Sequence, residues 1–308
     1  MHQLYDLVII GSGPAGLSAA IYAQRAELNT IIIERSVMSG GQIVNTYEVD
    51  NYPGLPGING FDMAMKFREH AEKLGANFIE DEVIRIEDVD NKKRVICGKE
   101  TYETKTVFIA SGAAHRTLDV PGEVEFSGKG VSYCATCDGA FFRGKETAVV
   151  GGGDVAVEDA IFLARICKKV YLIHRRDELR AAKSLQAQLF ACENVEFIWD
   201  STVTSIEGSE TVEKLKLLNI KTEEKSEIAV SGIFIAVGII PNSEIYKDYL
   251  ELDKQGYIIA DEDTVTSKQG VFAGGDVRTK QLRQIVTAVS DGANAVTSVE
   301  RYMNEVKL

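Results

Sequence analysis

The chain has 308 residues, 45% of them hydrophobic and 26% charged, which suits two folded domains and rules out a disordered or fibrous protein. Lys and Arg number 34 against 46 Asp and Glu, a formal net charge of −12, and without a long basic run such a chain is excluded as a nucleic-acid binder. The apolar run Leu7–Ile10 stops at Gly11, far short of the roughly 20 residues a span requires, and it lacks the basic flank and cleavage site of a signal peptide. The expected location is cytoplasmic, with no membrane contact.

The first predicted unit opens with a β-branched strand, Tyr5–Ile10, and the turn Gly11-Ser12-Gly13-Pro14-Ala15-Gly16. A helical pattern through Leu17, Ala20, Ile21 and Ala23 follows, then a strand Thr30–Ile33 that ends at Glu34 and Arg35. Strand, glycine turn, helix and strand make the βαβ unit of a dinucleotide-binding fold. Its first glycine permits the tight turn, the second lets a pyrophosphate reach backbone N–H groups, and the third brings helix and strand together. Glu34 stands where a carboxylate accepts hydrogen bonds from ribose hydroxyls. Strands at Phe78–Glu80, Val83–Asp88, Arg94–Cys97 and Thr106–Ala110 trail this unit and close on Ala110-Ser111-Gly112-Ala113.

Next comes Cys134-Ala135-Thr136-Cys137-Asp138. Five cysteines, an odd count with one local pair, do not form a secreted disulfide framework. A C-x-x-C pair lowers a thiol's pKa and sets its partner to close a disulfide. The competing reading is structural zinc, which takes about four ligands. Cys97, Cys167 and Cys192 are scattered and supply no second pair, so no metal is expected; they read as buried, inert residues. Asp138 either shuttles protons to a thiolate or caps a turn, and the sequence leaves both open.

A second βαβ unit begins about 140 residues after the first: strand Thr147–Val150, turn Gly151-Gly152-Gly153-Asp154-Val155-Ala156, a helix through Val157, Ile161 and Leu163 to Ile166, and strand Val170–Ile173. That strand ends in His174-Arg175-Arg176, with Arg180 beyond, and carries no acid. Guanidinium groups pair with a 2′-phosphate that a carboxylate would repel, so this site reads as NADPH. Strands at Phe197–Trp199, Val203–Ile206, Leu215–Ile220 and Ile233–Ala236 follow. The chain ends with strand Val271–Ala273, the turn Gly274-Gly275-Asp276, and Arg283-Gln284-Ile285 opening a helix to about Met303. An Asp in such a turn suits flavin ribityl hydroxyls, and a helix N-terminus suits negative charge on a reduced flavin. The expected fold class is α/β, with two Rossmann-like, three-layer dinucleotide-binding domains. Residues 114–243 form the NADPH domain, carrying the cysteine pair and inserted into an FAD domain made of 1–113 and 244–308.

Taken in order, these motifs resemble the low-molecular-weight thioredoxin reductases. The matching residues also include Gly40-Gly41-Gln42, Asn51-Tyr52-Pro53-Gly54 and Gly139, and they span nearly the whole chain. The cysteine pair lies in the second domain, not near Gly40–Gln42, and no dimerisation domain follows, which separates this family from glutathione- and lipoamide-type reductases. The resemblance implies FAD held by Gly11, Gly13, Pro14, Ala15, Gly16, Glu34, Arg35, Gly41, Gln42, Asn51, Ala110, Gly112, Gly275, Asp276, Arg283, Gln284 and Ile285. It implies NADPH held by Gly151, Gly153, Asp154, His174, Arg175, Arg176 and Arg180. Cys137 would receive electrons from the flavin, Cys134 would attack the disulfide of thioredoxin or a thioredoxin-like protein, and Asp138 would supply acid-base function. The resemblance further implies a homodimer and a swing of the two domains about crossings near Ala113–Pro121 and Gly238–Ser243.

Two residues depart from the family pattern. Val155 stands where Ser or Thr usually offers a hydroxyl to the pyrophosphate, which motivates a ferredoxin-dependent thioredoxin reductase as the alternative. Ser290 replaces a common glycine and carries no functional reading. A peroxide-detoxifying flavoprotein partner and a zinc-stapled nucleotide sensor complete the competing hypotheses. Phe141-Phe142, just past the motif, are candidates for a docking patch or for the core.

Overall fold

The computed structural model describes residues 3–46, 49 and 51–306. The chain divides into two compact α/β units, one comprising Met1–Val44, Tyr52–Ala114 and Ile240–Leu308, the other Asn45–Asn51 and His115–Ile239.

In the first unit, five parallel strands lie in the order Asn77–Glu80, Thr30–Glu34, Leu4–Ile10, Thr101–Ile109 and Val271–Ala273. Alternate residues of the central strands bury opposite faces: Val8, Ile10, Ile31 and Ile33 on one side, Leu7, Ile9 and Ile32 on the other. A parallel sheet covered on both faces needs such continuous apolar runs. Strand Thr101–Ile109 is longer than the expected Thr106–Ala110 because its two halves do different work. Its end pairs Val107 with Val271 in the parallel core, whereas its start pairs Thr104 with Lys93 in an antiparallel ribbon with Lys92–Cys97 and Val83–Val89. Burial follows, alternating over the first half and unbroken over the last four residues.

Helices Pro14–Arg25 and Ile285–Val306 pack at backbone contact: a Cβ on Gly292 would fall 2.2 Å from the Ala15 carbonyl oxygen, and the Ser18 hydroxyl donates to the Val289 carbonyl at 2.7 Å. Helix Gly60–Lys73, not anticipated from the sequence, starts at Asn59, whose side chain accepts from the Asp62 N–H at 2.8 Å.

Asp291, on helix Ile285–Val306, is buried and accepts hydrogen bonds from the Gly275 N–H, the Arg278 Nε and Nη2, and Lys280, at 2.7 to 2.9 Å. Burial by itself would raise its pKa, but the hydrogen bonds and charges of Arg278 and Lys280 outweigh that and hold it below the ordinary carboxylate range. Asp291→Asn strands two buried cations and is expected to lower the unfolding free energy by about 3–5 kcal/mol, measured by denaturant titration. A folded-state pKa below the unfolded one means this stabilisation is complete above the ordinary carboxylate pKa. It is lost as pH falls through the depressed value.

The second unit repeats the design, with parallel strands ordered Val195–Ile198, Lys169–Ile173, Glu146–Val150, Gly232–Ile235 and Val131–Ser132. Helices Asp154–Ala164 and Lys183–Phe190 belong to it, as does an antiparallel sheet of Ser201–Gly208, Val212–Asn219 and Lys225–Ala229. Among the described residues no helix is long and apolar enough to cross a membrane.

Candidate functional site

The first glycine turn is shaped for close backbone approach. Gly11 has φ +98°, and a Cβ there would lie 2.5 Å from the Ala110 carbonyl oxygen; one on Gly16 would lie 1.9 Å from the Gly11 carbonyl oxygen. Gly13 and Gly112, by contrast, face open space. Gly13 is also the N-cap of helix Pro14–Arg25, which has no side-chain cap, so its first N–H groups are available to an anion.

Glu34 lies at the end of its strand, its Oε2 accepting from the Ser12 N–H and hydroxyl at 2.8 Å each and its Oε1 from the Ser36 N–H at 3.0 Å. Arg35 is exposed beside it. The Gly40 N–H donates to the Ser12 carbonyl at 2.8 Å, and a Cβ on Gly41 would lie 3.5 Å from the Gly13 Cα, so this loop returns to the fingerprint. Gln42 donates to the Ala113 carbonyl.

From the C-terminal segment, Gly275 approaches Ala15: a Cβ there would lie 3.1 Å from the Ala15 Cβ. Asp276 Oδ1 is buried without a partner among the described residues, and its carboxyl pKa is raised, chiefly by burial. The Arg283 Nε is likewise unpartnered, while its guanidinium lies 3.9 Å over the Tyr257 ring. Ile285 begins its helix directly after Gln284. A cradle with no Cβ, an uncapped helix and two orphaned buried polar atoms suit a dinucleotide with hydroxyls and a pyrophosphate, and FAD fits them. Asn51 closes the segment Asn45–Asn51, which groups with the second unit.

The second turn repeats this chemistry. A Cβ on Gly151 would lie 2.4 Å from the Ala236 carbonyl oxygen, Gly153 faces open space, and helix Asp154–Ala164 begins without a side-chain cap. Asp154 accepts from the Ala182 N–H at 2.7 Å, and the Arg180 N–H donates to the Gly152 carbonyl at 2.7 Å, tying the arginine loop to the fingerprint.

His174 is buried under Gly152, where a Cβ would collide with its ring; burial, then Arg180, Arg176 and Arg175, lower its pKa. Its Nε2 has no partner among the described residues. Arg175, Arg176 and Arg180 are exposed. Asp177 and Asp200 are both engaged by Lys221, at 2.7 and 3.0 Å, and among the described residues no carboxylate pairs with the three arginines. Such a cluster fits the 2′-phosphate of NADPH. Val155, 56% exposed, stands at the helix start without a hydroxyl to offer.

Cys134 and Cys137 form a disulfide, Cα atoms 5.3 Å apart, on the short helix Ala135–Asp138. The Ser132 hydroxyl, buried, accepts from the Cys134 N–H at 3.1 Å and reaches Asp138 Oδ2 at 2.6 Å. Asp138 Oδ1 is buried with no partner among the described residues. Burial raises the Asp138 pKa, against the Ser132 hydrogen bond, which lowers it.

Of the other cysteines, Cys97 and Cys167 are buried, with thiols pushed up by burial, the former to about 12; Cys192 is half-buried. No metal-binding cluster occurs among the described residues. Phe142 is core, edge-on to Phe234 at 5.3 Å, while half-buried Phe141 joins Ser132 and Asp138 in lining a cavity of 940 Å³ in the second unit. Ser12 and Ser132 escaped the sequence reading. Their signal is position alone, one inside the first glycine turn and the other two residues before the cysteine pair.

Two dinucleotide cradles and a redox disulfide in one chain define a nicotinamide-linked disulfide reductase. The family model for pyridine nucleotide-disulphide oxidoreductases matches residues 5–292, and the chain belongs to that family, among its thioredoxin reductases. It is 45% identical over 306 residues to the thioredoxin reductase of Bacillus subtilis (strain 168), covering 99% of this chain and 96% of that one. It is 48% identical to that of Peptoclostridium acidaminophilum, with 98% of each covered. The crystal structure of thioredoxin reductase from Streptococcus pyogenes MGAS5005 superposes with a TM-score of 0.94 at 48% identity, over 99% of this chain and 100% of that one.

Proposed function

We propose that the protein is an NADPH-dependent thioredoxin-disulfide reductase, with FAD on the first unit and NADPH on the second. The observation that carries this reading is the Cys134–Cys137 disulfide held beside the buried carboxyl of Asp138. FAD, when bound, supplies a two-electron relay between a nicotinamide and a disulfide. Gly11, Gly13 and Gly16 with the helix start at Pro14 would take its pyrophosphate, Glu34 its ribose, and Asp276 its ribityl hydroxyls.

Two electrons and one proton convert the Cys134–Cys137 disulfide to a thiol and a thiolate. By the family resemblance Cys137 accepts the electrons and Cys134 is the outward nucleophile. The Cys134 thiolate attacks one sulfur of the thioredoxin disulfide, forming a mixed disulfide and releasing the other sulfur as a thiolate, which Asp138 protonates. Cys137 passes its proton to water and, as the thiolate, attacks the Cys134 sulfur. The internal disulfide re-forms, the second partner sulfur leaves, and a further proton makes it a thiol. We further place the protein in the cytoplasm as a homodimer, on the resemblance.

Anaerobic addition of NADPH to the yellow holoenzyme is expected to bleach the flavin band rapidly, and NADH far more weakly. A flavin inert to both nucleotides but reduced by a ferredoxin would move the electron donor to ferredoxin and leave the cysteine chemistry in place.

A further inference from the structure

We propose that Ser132 is a positioning residue for thiol–disulfide exchange: its one hydroxyl clamps the carboxyl of Asp138 to the backbone of Cys134 and decides which carboxyl oxygen carries the proton. The inference rests on the proton-donating role given above to Asp138.

The hydroxyl has a single hydrogen to give. Asp138 Oδ2 lies 2.6 Å from the Ser132 Oγ, and the Cys134 carbonyl oxygen lies 3.3 Å away, so the hydrogen goes to Oδ2. The same Oγ accepts from the Cys134 N–H at 3.1 Å. Oδ2 is therefore committed as an acceptor, and a proton on this carboxyl resides on Oδ1, the oxygen with no partner among the described residues. The clamp spans the segment that carries the nucleophile: Ser132 ends the edge strand Val131–Ser132, Cys134 caps the short helix, and Asp138 closes it. Asp138 gives the Oδ1 proton to the departing partner thiolate, becomes a carboxylate steadied by the Ser132 hydrogen bond, and is reprotonated from water.

The charged groups around it come from two sides. Helix Asp154–Ala164 packs on the short helix and carries Asp159, whose own pKa is raised to about 7 by burial and by Glu158. The cavity wall carries Lys129, Lys145, Glu146, Lys168 and Glu213. At Asp138 itself burial raises the pKa, and the Ser132 hydrogen bond opposes it. Once the disulfide opens, the thiols of Cys134 and Cys137 join this set.

The test is the single-turnover oxidation of pre-reduced holoenzyme by excess oxidised thioredoxin, followed across pH, which needs no nicotinamide. Wild type is expected to slow at high pH as Asp138 ionises, and Asp138→Asn to lose that limb. Ser132→Ala removes a hydrogen bond that is stronger to the ionised carboxylate than to the protonated carboxyl, so the limb should move up by about one pH unit or less. Ser132→Thr, which keeps the hydroxyl, should return it to the wild-type position.

A limb unmoved in Ser132→Ala, with only a uniform fall in rate, overturns the proposal while leaving Asp138 as the acid. A limb that persists in Asp138→Asn overturns the acid role itself and the Ser132 proposal with it. Should Ser132→Ala not fold, the wild-type holoenzyme decides by infrared difference spectroscopy. The protonated Asp138 carbonyl stretch, assigned through Asp138→Asn, should fall at a hydrogen-bonded position, and a free-carbonyl position overturns the clamp.

Discussion

Cys137→Ser is expected to reduce thioredoxin at less than about one-thousandth of the wild-type rate while keeping its flavin. The reason is electron accounting. Cys134 and Cys137 are joined in one disulfide, and opening that bond is what takes up two electrons on their way from the flavin to the partner. With serine at 137 no internal disulfide can form, and a mixed disulfide at Cys134 has no resolving thiol to release it. Flavin should stay bound, because the atoms suited to it lie in the first unit and Cys137 lies in the second. The measurement pairs thioredoxin turnover with the ratio of flavin to protein absorbance. Full-rate turnover in the variant would remove the cysteine pair from the electron path.

The second large effect is expected at the arginine cluster. Arg175→Ala combined with Arg176→Ala should raise the KM for NADPH roughly a hundredfold or more, since each charge-assisted hydrogen bond is worth about 1.5–3 kcal/mol. The KM for NADH should stay within a few-fold, because NADH has no 2′-phosphate to lose. The turnover number at saturating NADPH should hold, as expected when binding shared by ground and transition states is removed. Both arginines are exposed, and the nearby acids Asp177 and Asp200 are held by Lys221, so the substitution strands no buried partner. Equal losses for NADPH and NADH would assign the arginines to the fold or to the shared part of the nucleotide.

Much of this site is legible in the residues because its chemistry is local. A glycine turn, the strand before it and the helix after it occupy consecutive residues, so Gly11 to Gly16 and Gly151 to Ala156 declare themselves through backbone constraints. The cysteine pair is local in the same way. His174 shows where that logic stops. It follows its strand just as Arg175 and Arg176 do, yet the structure buries it under Gly152, where only a residue without Cβ leaves room for the ring. Strand Thr101–Ile109 shows a second limit. Its first half buries alternate residues and pairs edge to edge with an antiparallel neighbour, and no window of the sequence shows that neighbour.

By itself, then, the sequence determined the two glycine turns, the cysteine pair and the arginine cluster proposed to take a 2′-phosphate, all set by residues a few positions apart. Only the tertiary structure decided what depends on distant partners. It brought Gly275 against Ala15, enclosed Asp291 between Arg278 and Lys280, and left Asp276 Oδ1 buried without a hydrogen-bond partner among the described residues. It also turned Ser132 onto Asp138, a contact within one short segment that depends on the edge strand and the helix turn meeting at one angle. The physical reason is common to all of these. Hydrogen-bond partners and burial are properties of packed surfaces, and packing is settled by the whole chain at once.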